Sequence, residues 1–303
     1  APGKERALWR TFDQIPFEDG TAIHHVSDDK VLQLLDYPAY FDLLEQPLPA
    51  NRNGILSALK ADRLIFRNDA GGWNITNLGA ILFARSLANF RTLSRKAVRV
   101  IHYGGRGRTE TLREQEDVKG YACGFKGIIE FINGLLPSNE IIGQALRHSV
   151  PMFPELAVRE LVANALIHQD FFISGAGPME EIFEDRIEIT NPGKPLVDTD
   201  RFVDAPPRSR NESLASLMRR FGICEERGSG IDKVLTQVEL FQLPAPLFES
   251  PPPGSTRAVL FAPKPLSTMD KVERIRACYQ HACLQYVVRQ PMTNASLRKR
   301  LGI

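Results

Sequence analysis

Apolar positions in residues 154–171, PELAVRELVANALIHQDF, fall at helical spacing. Leu156, Leu161, Val162, Ala165 and Leu166 predict a helix with one apolar face. Pro154 suits a first turn, where its missing N–H is not needed, and Glu155 suits a helix N-terminus. Glu160 and Asn164 are four residues apart, so a carboxylate and an amide stack on one side of that helix. A carboxylate can orient a water and take its proton, and an amide oxygen can hold Mg²⁺ beside a triphosphate. A solvated i,i+4 pair on an ordinary helix is the alternative for this segment alone.

The same reading orders the rest of the chain. Residues 1–25 read as irregular and polar, with one Asp19-Gly20 turn. Val31, Leu32, Leu34 and Leu35 predict a helix, Tyr37-Pro38 opens a second, and Ile55, Leu56 and Leu59 place a third over residues 51–60. Residues 64–83 then read as strand, loop (68–72), strand and helix. Helices followed by a hairpin are the plan of a winged helix, whose last helix before the hairpin enters the major groove. Arg52, Asn53 and Lys60 would face out from that helix as DNA-binding residues. The alternative is a module that only packs against its neighbours. Residues 96–104 predict a strand, 118–136 a long amphipathic helix facing a core through Phe125, Ile128, Ile129 and Ile132, and 140–150 a further strand or helix.

Further on, residues 171–178 form a connector, 179–183 and 186–190 a hairpin, 196–209 a loop and 213–221 a short helix. A helix over 231–240 and a strand over 257–261 follow, then helices over 270–288 and 292–301, the last capped by Thr293. That final pair reads as the start of a second helix-turn-helix.

Composition narrows the class. The 303 residues suffice for about two domains, and 43% hydrophobic with 24% charged content is that of an ordinary globular protein. No apolar run approaches the roughly 20 residues of a membrane span and no signal-peptide pattern opens the chain, so a cytoplasmic address and no membrane partner are expected. The absence of an initial methionine reads as a fragment of a longer protein. Net charge is only +2. Its distribution shows basic clusters at Arg91, Arg95, Lys96, Arg99, Arg106 and Arg108; at Arg208, Arg210, Arg219 and Arg220; and at Arg298, Lys299 and Arg300. Each can meet phosphates or be a solvated face. Cys278, His281 and Cys283 share one helix at a spacing that fits no zinc motif, so packed thiols are expected there. His168 and Asp170 read as capping or lining residues. The phosphate-loop pattern G-x-x-x-x-G-K-[ST] is absent.

Two stretches give the E-x-x-x-N helix a context. Residues 185–194, DRIEITNPGK, are an alternating strand ending in a tight Asn-Pro-Gly turn. Residues 225–234, EERGSGIDKV, are a glycine loop running into a helix, a geometry that presents backbone N–H groups to phosphate. In this order they resemble the GHKL ATPases. The wording RELVANALIHQDF, DRIEITNPG and SRNESLASLMRRFGICEERGSGIDKV is similar to a bacterial family of "RecG-like" ATP-binding transcriptional regulators, whose members carry an N-terminal Schlafen/AlbA-like domain. The resemblance covers roughly residues 150–261.

It implies an α+β chain: a GHKL-type α/β sandwich with connecting strand and helix (91–265), preceded by a winged-helix-like module (26–90) and the tail of a missing domain (1–25), and followed by a truncated helix-turn-helix (266–303). Within the sandwich it implies Glu160 as catalytic residue and Asn164 as metal ligand. Asn191, Gly193, Arg227, Gly228, Ser229 and Gly230 would contact ATP or ADP, with Mg²⁺ as companion cofactor. An ATP-binding regulator associated with duplex DNA follows, with weak Mg²⁺-dependent ATPase activity and a homo-oligomer as open possibilities. The alternatives are an ATP-independent DNA-binding or scaffold protein with a relic pocket, and a slow ATPase switch. One position departs from the GHKL pattern. Where the family offers D-x-G-x-G to adenine, this chain has Asn191-Pro192-Gly193-Lys194-Pro195. An amide accepts the adenine hydrogen bond without charge assistance, a loss on the order of 1 kcal/mol. Binding is therefore expected to outlast turnover.

Overall fold

Two larger sheets and one separate two-stranded hairpin organise the chain in the computed structural model, which describes residues 16–142, 147–206, 208–224 and 230–303. The first sheet is three-stranded and antiparallel. It begins with β1 (Thr21–Val26), followed by helices α1 (Asp28–Leu34), α2 (Tyr37–Leu43) and α3 (Arg52–Ala61). The hairpin β2 (Ile65–Arg67) and β3 (Trp73–Thr76) completes it, in the order β1-β3-β2. The strand β1 corrects the reading of this stretch as irregular. Its burial does not alternate, and its partner β3 lies some fifty residues away, so no local pattern marks it.

Helix α4 (Asn77–Phe83) leaves this sheet fully buried, with Thr76 as its N-cap. A Cβ on Gly79 would stand 2.2 Å from the Leu64 carbonyl oxygen, so only glycine lets the helix cross there.

The second sheet contains β4 (Val98–Tyr103) and β5 (Thr111–Asp117), with helix α5 (Tyr121–Leu135) and the hairpin β6 (Ser138–Ile142) and β7 (Arg147–Pro151) following in sequence. Next come α6 (Glu155–His168), β8 (Met179–Ile182), β9 (Arg186–Pro192), α7 (Glu212–Arg220), α8 (Gly230–Leu240), β10 (Leu247–Glu249) and β11 (Ser255–Phe261). The six-stranded order is β10-β11-β9-β8-β4-β5, with β4 and β8 parallel and the other pairs antiparallel. Helix α6 packs on β9 between α5 and α8, giving a mixed α/β sandwich. It is buried nearly all round, from Ala157 to Ile167, where a single apolar face was expected. Its small residues Ala157, Ala163 and Ala165 suit close approach by neighbours on several sides. On the opposite face of the sheet an ion network links Arg108 to Glu181 and Glu188, and Arg257 to Glu188 and Glu249.

That network, with other local pairs, absorbs part of the first basic cluster. Arg99 pairs with Glu114, Arg106 faces Asp185, and Lys96 is buried, donating to the carbonyls of Ile173 and Ala176.

Helices α9 (Lys271–Val287) and α10 (Asn294–Leu301) end the chain. Buried His281 ties them to α8: its Nδ1 lies 3.0 Å from Glu239 and its Nε2 3.1 Å from Ser296 Oγ. Arg300, also buried, joins Glu239 at 3.3 Å. Cys278 and Cys283 are half-buried free thiols, and no metal-ligating cluster occurs among the described residues. No helix among them is long and apolar enough to cross a membrane.

The N-terminal unit and the sandwich share one continuous core. Glu18 is buried and accepts the N–H groups of Ser213 and Leu214 at the start of α7, at 2.8 and 2.9 Å. Asp62 pairs with Arg220 near the other end of α7 and accepts the Tyr40 hydroxyl at 2.6 Å. The rings of Tyr40, Phe83 and Phe221 meet edge-on beside that pair. Helix α7 is thus held at both ends by the N-terminal unit.

Candidate functional site

A cleft of about 770 Å³ opens between α6, α7, the start of α8 and the ends of β9 and β11. Such a volume is that of a small-molecule site. Glu160 and Asn164 both line it, as their four-residue spacing on α6 requires. Glu160 is almost fully buried, and its Oε1 accepts from Arg159 at 3.2 Å. The first residue of α8, Gly230, lies against both. A Cβ there would stand 3.2 Å from Glu160 Oε2 and 3.4 Å from Asn164 Nδ2. The α8 terminus thus sits in close contact with the carboxylate–amide pair.

One turn beyond Asn164, His168 also lines the cleft. Burial, with the Arg210 charge beside it, pushes its pKa down to about 4, so the imidazole is neutral at pH 7 and offers one donor and one acceptor. Its role is that of a lining residue, as its place at the helix end predicts.

The turn after β9 forms the other wall. Asn191 is buried, and its Nδ2 donates to the Pro192 carbonyl at 3.2 Å, which orients Oδ1 as the acceptor end. Gly193 has φ +104°, a conformation that L side chains rarely adopt, and a Cβ there would meet Asp170 Cβ at 2.7 Å. The same turn is fastened to the end of α6, since Asp170 N–H donates to the Pro192 carbonyl at 2.8 Å and the Asp170 carboxylate faces Arg210 at 3.4 Å. Asn191, Gly193 and the α6 residues therefore belong to one rigid corner. Of the remaining expected contacts, Arg227, Gly228 and Ser229 lie outside the described residues.

Several lining residues have no signal in the local sequence pattern. Thr256 on β11 sits opposite Asn191 in register and donates to the Gly193 carbonyl at 2.8 Å. The burial of β11 does not alternate, so only its register against β9 brings Thr256 to the site. Arg208, Arg210 and Arg219, three of the four residues in the second basic cluster, line the cleft. The fourth lining arginine, Arg63, comes from the N-terminal unit. Four arginines against the carboxylates of Glu160 and Glu212 make this a cation-rich cleft, suited to an anionic ligand.

The expected DNA-facing residues stand apart from this cleft. Arg52, Asn53 and Lys60 are exposed on α3, and Arg52 pairs with Asp29 at 2.6 Å.

Residues 175–260 match the family model described as "Putative ATP-dependent DNA helicase recG C-terminal". That stretch is similar to an ATPase-like, nucleotide-binding domain. It takes in the Asn191–Gly193 turn and the start of α8, and it begins after Glu160 and Asn164. No curated protein matches the chain. Among solved structures, the chain resembles the DIP2311 protein from Corynebacterium diphtheriae with a TM-score of 0.63 at 18% identity. The match covers 98% of this chain and 60% of that one. The chain therefore spans about three fifths of that relative's length, and the likeness is one of fold.

Proposed function

We propose that the chain is an ATP-binding switch in which Mg²⁺–ATP in the cation-rich cleft sets the arrangement of the units attached to α7 and α8. The observation that carries this reading is the meeting of Glu160, Asn164 and the Gly230 end of α8 on one wall, with the Asn191–Gly193 turn on the other. Asn164 would ligate Mg²⁺, Gly228 and Gly230 would take phosphate, and Asn191 Oδ1 would accept from the adenine amino group. Glu160 would orient a water. Because Asn191 lacks the charge of an aspartate, binding is expected to exceed turnover. Calorimetric titration of the whole chain with ATP, with and without Mg²⁺, tests the reading. A wild-type protein that takes up neither ATP nor ADP at millimolar concentration has a relic pocket and acts without nucleotide.

The output side of the switch is proposed to be DNA. In the N-terminal unit three helices precede the hairpin, which supports a winged-helix reading, and α3 presents Arg52, Asn53 and Lys60 to solvent. The Arg52–Asp29 pair is exposed and contributes little, so it is no obstacle to a phosphate contact. A transcriptional regulator on duplex DNA is the function that joins both halves. Duplex affinity is expected to fall steeply between about 50 and 200 mM salt, and Arg52→Ala with Lys60→Ala together should weaken it and flatten that slope. Affinity that ignores salt, or survives the double change, takes α3 out of the interface.

A further inference from the structure

The N-terminal unit supplies a side chain to the cleft itself. Arg63 lies in the turn that follows α3, with φ +58°, and its backbone is fixed there. Its N–H donates to the Lys60 carbonyl at 2.9 Å, and its own carbonyl accepts the Thr76 hydroxyl at 2.9 Å. From this anchored turn the side chain lines the cleft, and its Nη2 donates to Ser213 Oγ at 3.1 Å. The one ion pair it makes among the described residues is a loose one, 3.9 Å to Asp19. Arg208 and Arg219 line the same cleft and form no ion pair among the described residues. Three guanidinium groups thus line one space with little carboxylate pairing, an arrangement that favours an anionic ligand.

Nor is the α7 N-terminus a competing anion site, because its first N–H groups already bind the Glu18 carboxylate. On the α7 side of the cleft the anion is therefore met by side chains.

We propose that Arg63 is a phosphate-binding residue of the nucleotide cleft, contributed by the N-terminal unit. This rests on the nucleotide reading above and adds a physical link to it. Arg63 follows Asp62, which pairs with Arg220 on α7, and both residues close the C-terminal end of α3. A phosphate clasped by Arg63, Arg208 and Arg219 therefore bears directly on the position of the helix that carries Arg52, Asn53 and Lys60. A guanidinium suits the role because its fork matches phosphate geometry, and it stays charged at any relevant pH.

The test compares wild type, Arg63→Ala and Arg63→Lys on the full chain, by ATP titration with Mg²⁺ and by melting without ligand. Alanine is expected to weaken ATP binding by at least about tenfold, the scale of a charge-assisted contact. The ligand-free melting temperature should change little, since alanine meets the same backbone constraint at φ +58° and the lost contacts to Ser213 and Asp19 are exposed. Lysine should recover part of the affinity by restoring charge without the fork. ATP affinity within twofold of wild type in the alanine variant overturns the proposal. So does a loss of affinity that tracks a lower melting temperature and is not recovered by lysine, which would make Arg63 a scaffold residue. If wild type itself binds no ATP, the nucleotide reading falls and this assignment falls with it. That outcome is distinguished by being visible before any variant is made.

Discussion

Asn164→Ala is expected to abolish Mg²⁺-dependent ATP binding, whereas Glu160→Gln should leave binding within about twofold and remove whatever slow hydrolysis the chain has. The two residues share one face of α6 and both touch the space beside Gly230, yet the proposed roles separate them. Mg²⁺ demands near-octahedral oxygen ligation and is held by few protein groups beside a nucleotide's phosphates, so removing one ligand oxygen leaves no substitute nearby. Loss of a contact to a charged partner amounts to roughly 1.5–3 kcal/mol, about 10- to 100-fold in affinity. Starting from a pocket weakened by Asn191, that is enough to move binding out of a millimolar titration. Glutamine at position 160 keeps the shape and one acceptor for Arg159, which donates at 3.2 Å, but cannot take a proton from water. Calorimetry reads the first effect and phosphate release the second. Normal Mg²⁺-dependent binding by Asn164→Ala would remove the metal role from α6.

What the sequence made legible here was local. Glu160, Asn164 and His168 follow from helical spacing, and the Asn191–Gly193 turn follows from a strand that stops at Asn-Pro-Gly. The cap of α10 by Thr293 and the helix over Gly230–Leu240 have the same local origin. The illegible features depend on partners far along the chain. Thr256 reaches Asn191 only through the β9–β11 register, and Arg63 reaches the cleft only because α7 is pinned by Glu18 and Asp62. Strand β5 is exposed along almost its whole length and shows no alternation, so only its ladder with β4 defines it. Charge counting misled at Lys96, which sits among the cationic residues of its cluster and yet is buried against two carbonyls. Linear clustering of charge does not distinguish a solvated face from a set of internal pairs.

A buried acid gives the second large expectation. Glu180 on β8 is fully buried, and neither carboxyl oxygen has a hydrogen-bond partner among the described residues. Burial pushes its pKa up to about 8, from 4.5 for the unperturbed group. Between those values the folded chain keeps a proton that the unfolded chain has lost, so the stability Glu180 contributes falls as pH rises. Each pH unit in that window is worth about 1.4 kcal/mol, and the whole window on the order of 5 kcal/mol. Other groups titrate with different signs. His168, depressed to about 4, contributes stability that is lost as pH falls below about 6.5, so it opposes Glu180 in the lower part of the window. Lys96, lowered to about 8 by burial, contributes stability that rises only above that value. The wild-type profile alone therefore mixes three effects, whereas the difference between wild type and Glu180→Gln isolates one. Glutamine has nearly the same shape, stays neutral, and cannot be forced to ionise in the core. Its advantage over wild type should be small at pH 5 and grow steadily to pH 8, in denaturant melts run at each pH. Parallel curves across that range would mean that Glu180 ionises as readily in the folded chain as in the unfolded one, and that its burial does not hold its proton.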